Sequence, residues 1–171
     1  MREPNKSTML IVWHSRTGAA RQMAEAAYEG AHSVIQELDG ASLLGIVMKT
    51  AAETDANALL EADGYLFAAP ENLAALSGAM KEFFDRNYYS VLDQLNGRPY
   101  GLLISAGSDG SGAVRQAERI CTGWRLRAIA PAIIANTDAQ TPEAILAPKT
   151  LDEDARRRCA ELGGTLAALL L

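Results

Sequence analysis

Short apolar runs of strand length alternate along this chain with stretches whose apolar residues recur every three or four positions. The first run, Met9 to His14, is too short to cross a membrane and stops abruptly at Ser15-Arg-Thr-Gly-Ala-Ala20. Behind it, Ala20, Met23, Ala24, Ala27 and Ala31 repeat at helical spacing, with Gly30 or Gly40 placed to close the region. Leu43 to Met48 is a second strand, Thr54 to Ala62 a short acidic helix, and Tyr65 to Ala69 a third strand. Pro70 ends that strand, because it has no N–H to continue a ladder. A helix with Met80, Phe83, Phe84 and Tyr88 on its apolar face comes next. Asn96-Gly97 and Pro99 announce a fourth strand, Tyr100 to Ser105, and Val114, Ala117, Cys121 and Trp124 mark the inner face of the helix after it. A fifth strand, Ala128 to Ala135, contains Pro131 and is confined by it to a sheet edge or a bulge. The last helix starts near Asp152 and buries Ala155, Cys159, Leu162, Leu166 and Leu169, with Leu151 as a staple before its cap.

Five nearly unbroken apolar strands separated by helices imply a parallel sheet covered on both faces, an α/β three-layer sandwich. Right-handed crossovers leave few ways to wind it. The doubly wound order 2-1-3-4-5 puts the proline-bearing fifth strand at an edge and opens a crevice at the carboxyl ends of strands 1 and 3. Three polar loops, at 15–20, 70–78 and 105–112, fall at that end, and their convergence points to a ligand site more strongly than any one of them. The stretch from Asn136 to Thr150 is long for a compact domain and lies at the same end, as a lid, a subunit contact or a plain surface crossing.

The first loop has the composition of an anion cradle. Successive backbone N–H groups and a free helix N-terminus favour a phosphate dianion, Ser15 and Thr17 add hydroxyls, and Gly18 lets the backbone approach closely. It lacks the Gly-Lys-Ser/Thr ending of a Walker loop and the G-x-G-x-x-G spacing of a dinucleotide fingerprint, so a mononucleotide's single phosphate suits it better than a diphosphate. The competing reading is an ordinary strand-to-helix turn capped by Ser15 or Thr17. His14 reads as a satisfied residue beneath the loop rather than a base, and no second ligand at metal spacing accompanies it. Arg16 either screens a phosphate, guides a nicotinamide cofactor or points into solvent. Tyr88-Tyr89 can mark a subunit contact.

Composition narrows the function classes. With 171 residues, 49% of them hydrophobic and 22% charged, the chain reads as one globular domain over 1–171 with a polar N-terminal extension at 1–7 that is no signal peptide. A net charge of -5 argues against nucleic-acid or anionic-membrane partners. Cys121 and Cys159, far apart and inside helical patterns, read as free buried thiols of a cytoplasmic protein.

Two blocks carry a family resemblance: Ile11-Val-Trp-His-Ser-Arg-Thr-Gly18 with Met23-Ala24-Glu25-Ala26, and Ala62-Asp-Gly-Tyr-Leu-Phe-Ala-Ala-Pro70 with Leu76-Ser-Gly-Ala-Met-Lys-Glu-Phe-Phe-Asp85. In order, spacing and length the chain resembles the flavodoxin-like superfamily, most closely the FMN-dependent NAD(P)H:quinone oxidoreductases and related NADPH-dependent FMN reductase-like proteins. The resemblance implies that Ser15, Arg16, Thr17, Gly18, Ala19 and Ala20 cradle the FMN phosphate. It places Pro70, Glu71, Asn72, Leu73, Ser77 and Gly78 along the isoalloxazine ring, with Asn72 as partner of the ring's polar edge. Ser105, Ala106, Gly107, Ser108, Asp109, Gly110 and Gly112 would close its other side.

Two departures stand out. Ala20 occupies a place where the family commonly has a hydroxyl residue, and Leu73, Leu76 and Ser108 stand where flavodoxins often carry ring-stacking aromatics, which implies a modest flavin affinity. Other users of the topology lack their chemistry here. A response regulator needs carboxylates where the strands end in Trp13-His14 and Ala69-Pro70, and a low-molecular-weight phosphatase needs a cysteine in the first loop. The implied activity is hydride transfer from NAD(P)H through FMN to a quinone or similar small acceptor, with no metal and no catalytic acid-base pair, because the flavin carries the chemistry. Assembly as a homodimer or homotetramer would be in keeping with it. The rival functions are a flavodoxin-type electron carrier and a flavin-free interaction module.

Overall fold

β1 (Ser7–Trp13) is an interior strand of the sheet, and Met9 to Val12 are all buried because helices cover both of its faces. In this computed structural model, which describes residues 6–171, β1 pairs in parallel with β2 (Leu44–Thr50) on one side and β3 (Gly64–Asn72) on the other. β3 pairs in turn with β5 (Pro99–Ala106). The outer edge of β5 carries two short pieces, β6 (Arg127–Ala128) and β7 (Ile133–Asn136). Leaving aside the two-residue β4 (Ala75–Leu76), this is the five-stranded 2-1-3-4-5 order of the flavodoxin-like fold, with its fifth strand broken in two. The break falls at 129–132, around Pro131, where an edge position tolerates the missing ladder bond. Of the expected N-terminal extension, residues 1–5 lie outside the described residues and Ser7 already belongs to β1.

Alternation along the strands divides the interior into two cores. Leu10, Val12, Tyr65, Phe67, Leu102 and Ile104 face α2 (Ala56–Glu61), α3 (Gly78–Val91) and α4 (Ser111–Gly123). Met9, Ile11, Leu66, Ala68 and Leu103 face α1 (Ala19–Glu37) and α6 (Glu153–Leu170). The first core is aromatic: Phe67, Phe83, Phe84 and Trp124 meet at centroid distances of 5.0 to 6.4 Å, and the Trp124 indole N–H donates to the Tyr88 carbonyl. Tilted pairs of this kind add about 0.5 to 1.5 kcal/mol each beyond the area they bury.

The second core is held by a seam of small residues. Gly30 does not close α1, which continues to Glu37; it is where α6 touches α1. A β-carbon at Gly30 would lie 2.0 Å from the Ala160 carbonyl oxygen, and one at Gly163 would lie 1.9 Å from that of Ala27. Three further expectations need correction. β3 does not stop at Pro70 but runs on to Asn72, because β1 has already ended and asks for no N–H there. Leu169 is 53% exposed, since in the last turns of α6 it is Leu166 and Leu170 that pack beside Gly64 of β3. Leu151 is buried against the second core, yet Arg156 holds the staple's partner position, so it packs without a staple. The Asp152 carboxylate caps α6 by accepting from the Ala155 N–H at 2.7 Å.

Gly163→Ala is expected to destabilise the protein by about 1 to 3 kcal/mol, because the clash is with helix backbone that cannot rotate away. Urea unfolding should show it, with the exposed Thr165→Ala within about 0.5 kcal/mol of the wild type as control.

Candidate functional site

The carboxyl ends of the strands open a cleft lined from four directions: Arg16, Thr17 and Ala19 after β1; Pro70, Glu71 and Asn72 in β3; Ser105 and Ala106 at the end of β5 with Gly107 after it; and Thr137, Ala139, Ile145, Leu146 and Lys149 from the segment after β7. The register explains the opening. β1 is paired with β3 only as far as Ala68, whereas β5 accompanies β3 to Pro70, so the crevice lies above the end of β1.

At the first loop the chain leaves β1 and enters α1 through Gly18, whose φ of 101° is the left-handed conformation that only glycine adopts readily. The Ser15 hydroxyl accepts from the Gly18 N–H at 3.1 Å and sets the turn, so no side chain caps the helix itself. Among the described residues, no hydrogen bond takes up the N–H of Arg16, Thr17, Ala19 or Ala20. These donors join the positive end of a 19-residue helix, equivalent to roughly half a charge. Arg16 is exposed and without an ion pair among the described residues, and Lys149 stands beside the loop with its own N–H on the Thr17 carbonyl at 2.8 Å. Ala20 is fully buried, so its contribution is a backbone N–H and not a side chain.

His14 lies half-buried under this loop with Nδ1 at 2.8 Å from the Ser77 hydroxyl. Burial, and then the Arg16 charge, push its pKa below the ordinary histidine value. It therefore ties the first loop to the start of α3 as a neutral ring. Ser77 is fully buried by the same contact and stands behind the cleft wall, while Gly78 opens α3 with free space around it.

Beyond Pro70 the chain folds back as a hairpin, with Glu71 opposite Leu76 and Asn72 opposite Ala75. The turn residues Leu73 and Ala74 both have positive φ, 50° and 62°, the primed geometry that suits the strand twist but strains residues with a β-carbon. What holds it is α4. The Glu71 carboxylate accepts from the N–H groups of Gly110 and Ala113, each at 2.9 Å, and the Gln116 side chain accepts from the Leu76 N–H at 2.8 Å. Gly112 sits where a β-carbon would meet the Ala74 oxygen at 2.1 Å. Glu71 is thus a helix cap that joins the second loop to the third, with both oxygens engaged. Ser108 and Asp109 are exposed beyond the cleft lining, Asp109 accepting from the Ser111 hydroxyl.

Residues 14–140 match the NADPH-dependent FMN reductase family. The chain belongs to that family. Members of the family are flavodoxin-like, FMN-binding oxidoreductases with NADPH as electron donor, and the site meets the first demand of such a cofactor. The unclaimed donors, the left-handed Gly18 and the Arg16 charge fit a phosphate monoester, and the one carboxylate in the cleft lining has both oxygens engaged by N–H groups of the third loop and α4.

The chain is 31% identical over 104 residues to a flavodoxin of Aquifex aeolicus, covering 61% of this chain and 52% of that protein. It is 32% identical over 93 residues to an NAD(P)H dehydrogenase (quinone) of Acidithiobacillus ferrooxidans, covering 47% of this chain and 46% of that protein. The chain spans about half the length of these curated relatives. An archaeal flavodoxin structure superposes with a TM-score of 0.74 over 95% of this chain and 98% of that one at 16% identity, a likeness of fold.

Several cleft residues escaped the sequence pattern: Thr137, Ala139, Ile145, Leu146 and Lys149 from the long segment, and Gln22 and Gln116 behind the walls. Gln22 uses its whole amide, donating to the Gly18 and Lys149 carbonyls and accepting from the Leu151 N–H and Arg156. Only the length of the 136–150 stretch hinted at its role. Among the described residues no group of three His, Cys, Asp or Glu side chains is placed to hold a metal ion.

Thr17→Val is expected to weaken FMN binding by roughly one to two orders of magnitude, the loss of one hydrogen bond to a charged group. Thr17→Asp should all but abolish it while the apo protein melts no lower, since an acid near a helix N-terminus is favourable. Flavin titrations beside melts of both variants check this. Separately, Glu71→Ala is expected to cost about 1 to 2 kcal/mol in urea unfolding and to speed amide exchange at Gly110 and Ala113.

Proposed function

We propose that this chain is an FMN-dependent oxidoreductase that passes a hydride from NAD(P)H through FMN to a quinone or a similar small acceptor. The observation that carries the reading is the donor-lined loop at Arg16 to Ala20, set on a cleft at the carboxyl ends of the strands. Bound FMN supplies a reversible hydride and electron acceptor. The protein's part is placement. N–H groups of the first loop and the Thr17 hydroxyl hold the phosphate, Arg16 and Lys149 balance its charge, and Asn72 meets the polar edge of the ring. Pro70 and Ser105 to Gly107 form the walls on either side. The balanced reaction moves one hydride from NAD(P)H and one proton from water to a quinone, giving NAD(P)+ and the hydroquinone.

The quinone dehydrogenase relative supports this choice of acceptor. The reading takes the chain as a single cytoplasmic domain, in which Cys121 and Cys159, both buried and unpaired with each other, stay thiols. It needs neither nucleic acid nor a membrane, and among the described residues no helix is long and apolar enough to cross one. Assembly as a homodimer or homotetramer belongs to the same proposal.

A second reading, a one-electron carrier, is favoured by the flavodoxin relative. The two separate in one cuvette. Protein reconstituted with FMN is expected to lose its yellow absorbance directly on addition of NADH or NADPH and to turn over with a benzoquinone. Reduction only through a separate reductase, with a half-reduced flavin accumulating, would give the carrier reading instead.

A further inference from the structure

The cleft encloses about 90 Å³, well short of the roughly 300 to 1,000 Å³ of pockets that bury a ligand of flavin size. No aromatic side chain lines it. A flavin ring held here therefore projects from the cleft and needs an apolar cover at its mouth, and one segment, most of it beyond the family-matched residues, stands there. That segment is a strap across the cleft mouth. One end is tied to the third loop, where the Thr137 N–H and hydroxyl donate to the Ala106 carbonyl at 2.8 and 3.1 Å. The other is tied to the first loop, through the Lys149 N–H on Thr17 and the Gln22 amide on the Lys149 carbonyl.

Between these anchors runs α5 (Pro142–Leu146), capped by the Thr141 hydroxyl on the Ala144 N–H at 3.2 Å. Its other end is closed by the Lys149 ammonium, which donates to the carbonyls of Ala144, Ile145 and Ala147 at 2.6, 3.1 and 2.5 Å. Among the described residues, every hydrogen bond made by 141–147 closes within 141–149. Between the strap's two anchors, α5 thus meets the cleft through its side chains alone. It carries two large apolar side chains that line the cleft while remaining in water, Ile145 at 51% and Leu146 at 64% exposure. Two adjacent exposed aliphatics on a five-residue helix are unfavourable unless something covers them.

We propose that α5 is an aliphatic cover for the flavin ring, with Ile145 and Leu146 supplying the apolar face that aromatic side chains do not supply here. The inference rests on the FMN reading above. The phosphate at Arg16 to Ala20 anchors one end of the ligand beside the strap's own anchor at Lys149, which brings the ring under α5. Covering it removes both side chains and one ring face from water together.

The test is a flavin titration with a structural readout. The double variant Ile145→Ser/Leu146→Ser should bind FMN at least about tenfold more weakly than wild type, with an unchanged apo melting point because both side chains start exposed. Conservative Ile145→Val/Leu146→Met should recover affinity to within about threefold. In wild type, FMN should slow amide exchange at Ile145 and Ala147. Wild type that binds FMN no better than the serine variant, or without slowing those amides, overturns the cover. So does a serine variant that loses flavin only by dissociating in sedimentation, which would make the pair a subunit contact. Wild type that takes up no FMN at all overturns the parent reading of function, and this one with it.

Discussion

The site depends on one mismatch of strand lengths. β3 outruns β1 by four residues at its carboxyl end while β5 keeps pace with it as far as Pro70. A strand that continues beyond its neighbour leaves that neighbour's loop free to bend away, and here the loop bends into the N-terminus of α1. Pro70 suits the overrun because its missing N–H faces the side where pairing has stopped.

The overrunning strand would fray without a second support, since a two-residue hairpin with two left-handed non-glycine residues at its tip is strained. Glu71 provides that support by satisfying two N–H groups at the start of α4, and Gln116 and Gly112 let the hairpin lie against the helix. The same contact joins the second and third loops into one wall. His14 and Ser77 do the corresponding work between the first loop and α3. The loops around the cleft are thus braced to one another by polar side chains, while backbone N–H groups of the first loop stay unclaimed.

The distribution of aromatic residues completes the picture. Phe67, Phe83, Phe84 and Trp124 fill the core between the sheet and α3 and α4, and none reaches the cleft. The cleft therefore pairs an end rich in unclaimed N–H donors with walls of Pro70, backbone and the aliphatic side chains of α5.

The element order, the parallel sheet, both cores and the gathering of three polar loops at one end were legible in the sequence, because each follows from a local period. Apolar runs mark strands buried on two faces, three-to-four spacing marks helices buried on one, and glycine with hydroxyl residues marks the turns between. Tertiary structure alone decided the continuation of β3 past Pro70, the role of Gly30 as a helix contact, the exposure of Leu169, and the placing of α5 and Lys149 on the cleft. It also gave Glu71, in the cleft lining, the bonds of a helix cap. The reason is range: Glu71 bonds to residues 39 and 42 positions away, and Gln22 to residues 127 and 129 positions away. Local periodicity carries no record of contacts at such separations. They exist only once the strands are in register and their loops stand side by side.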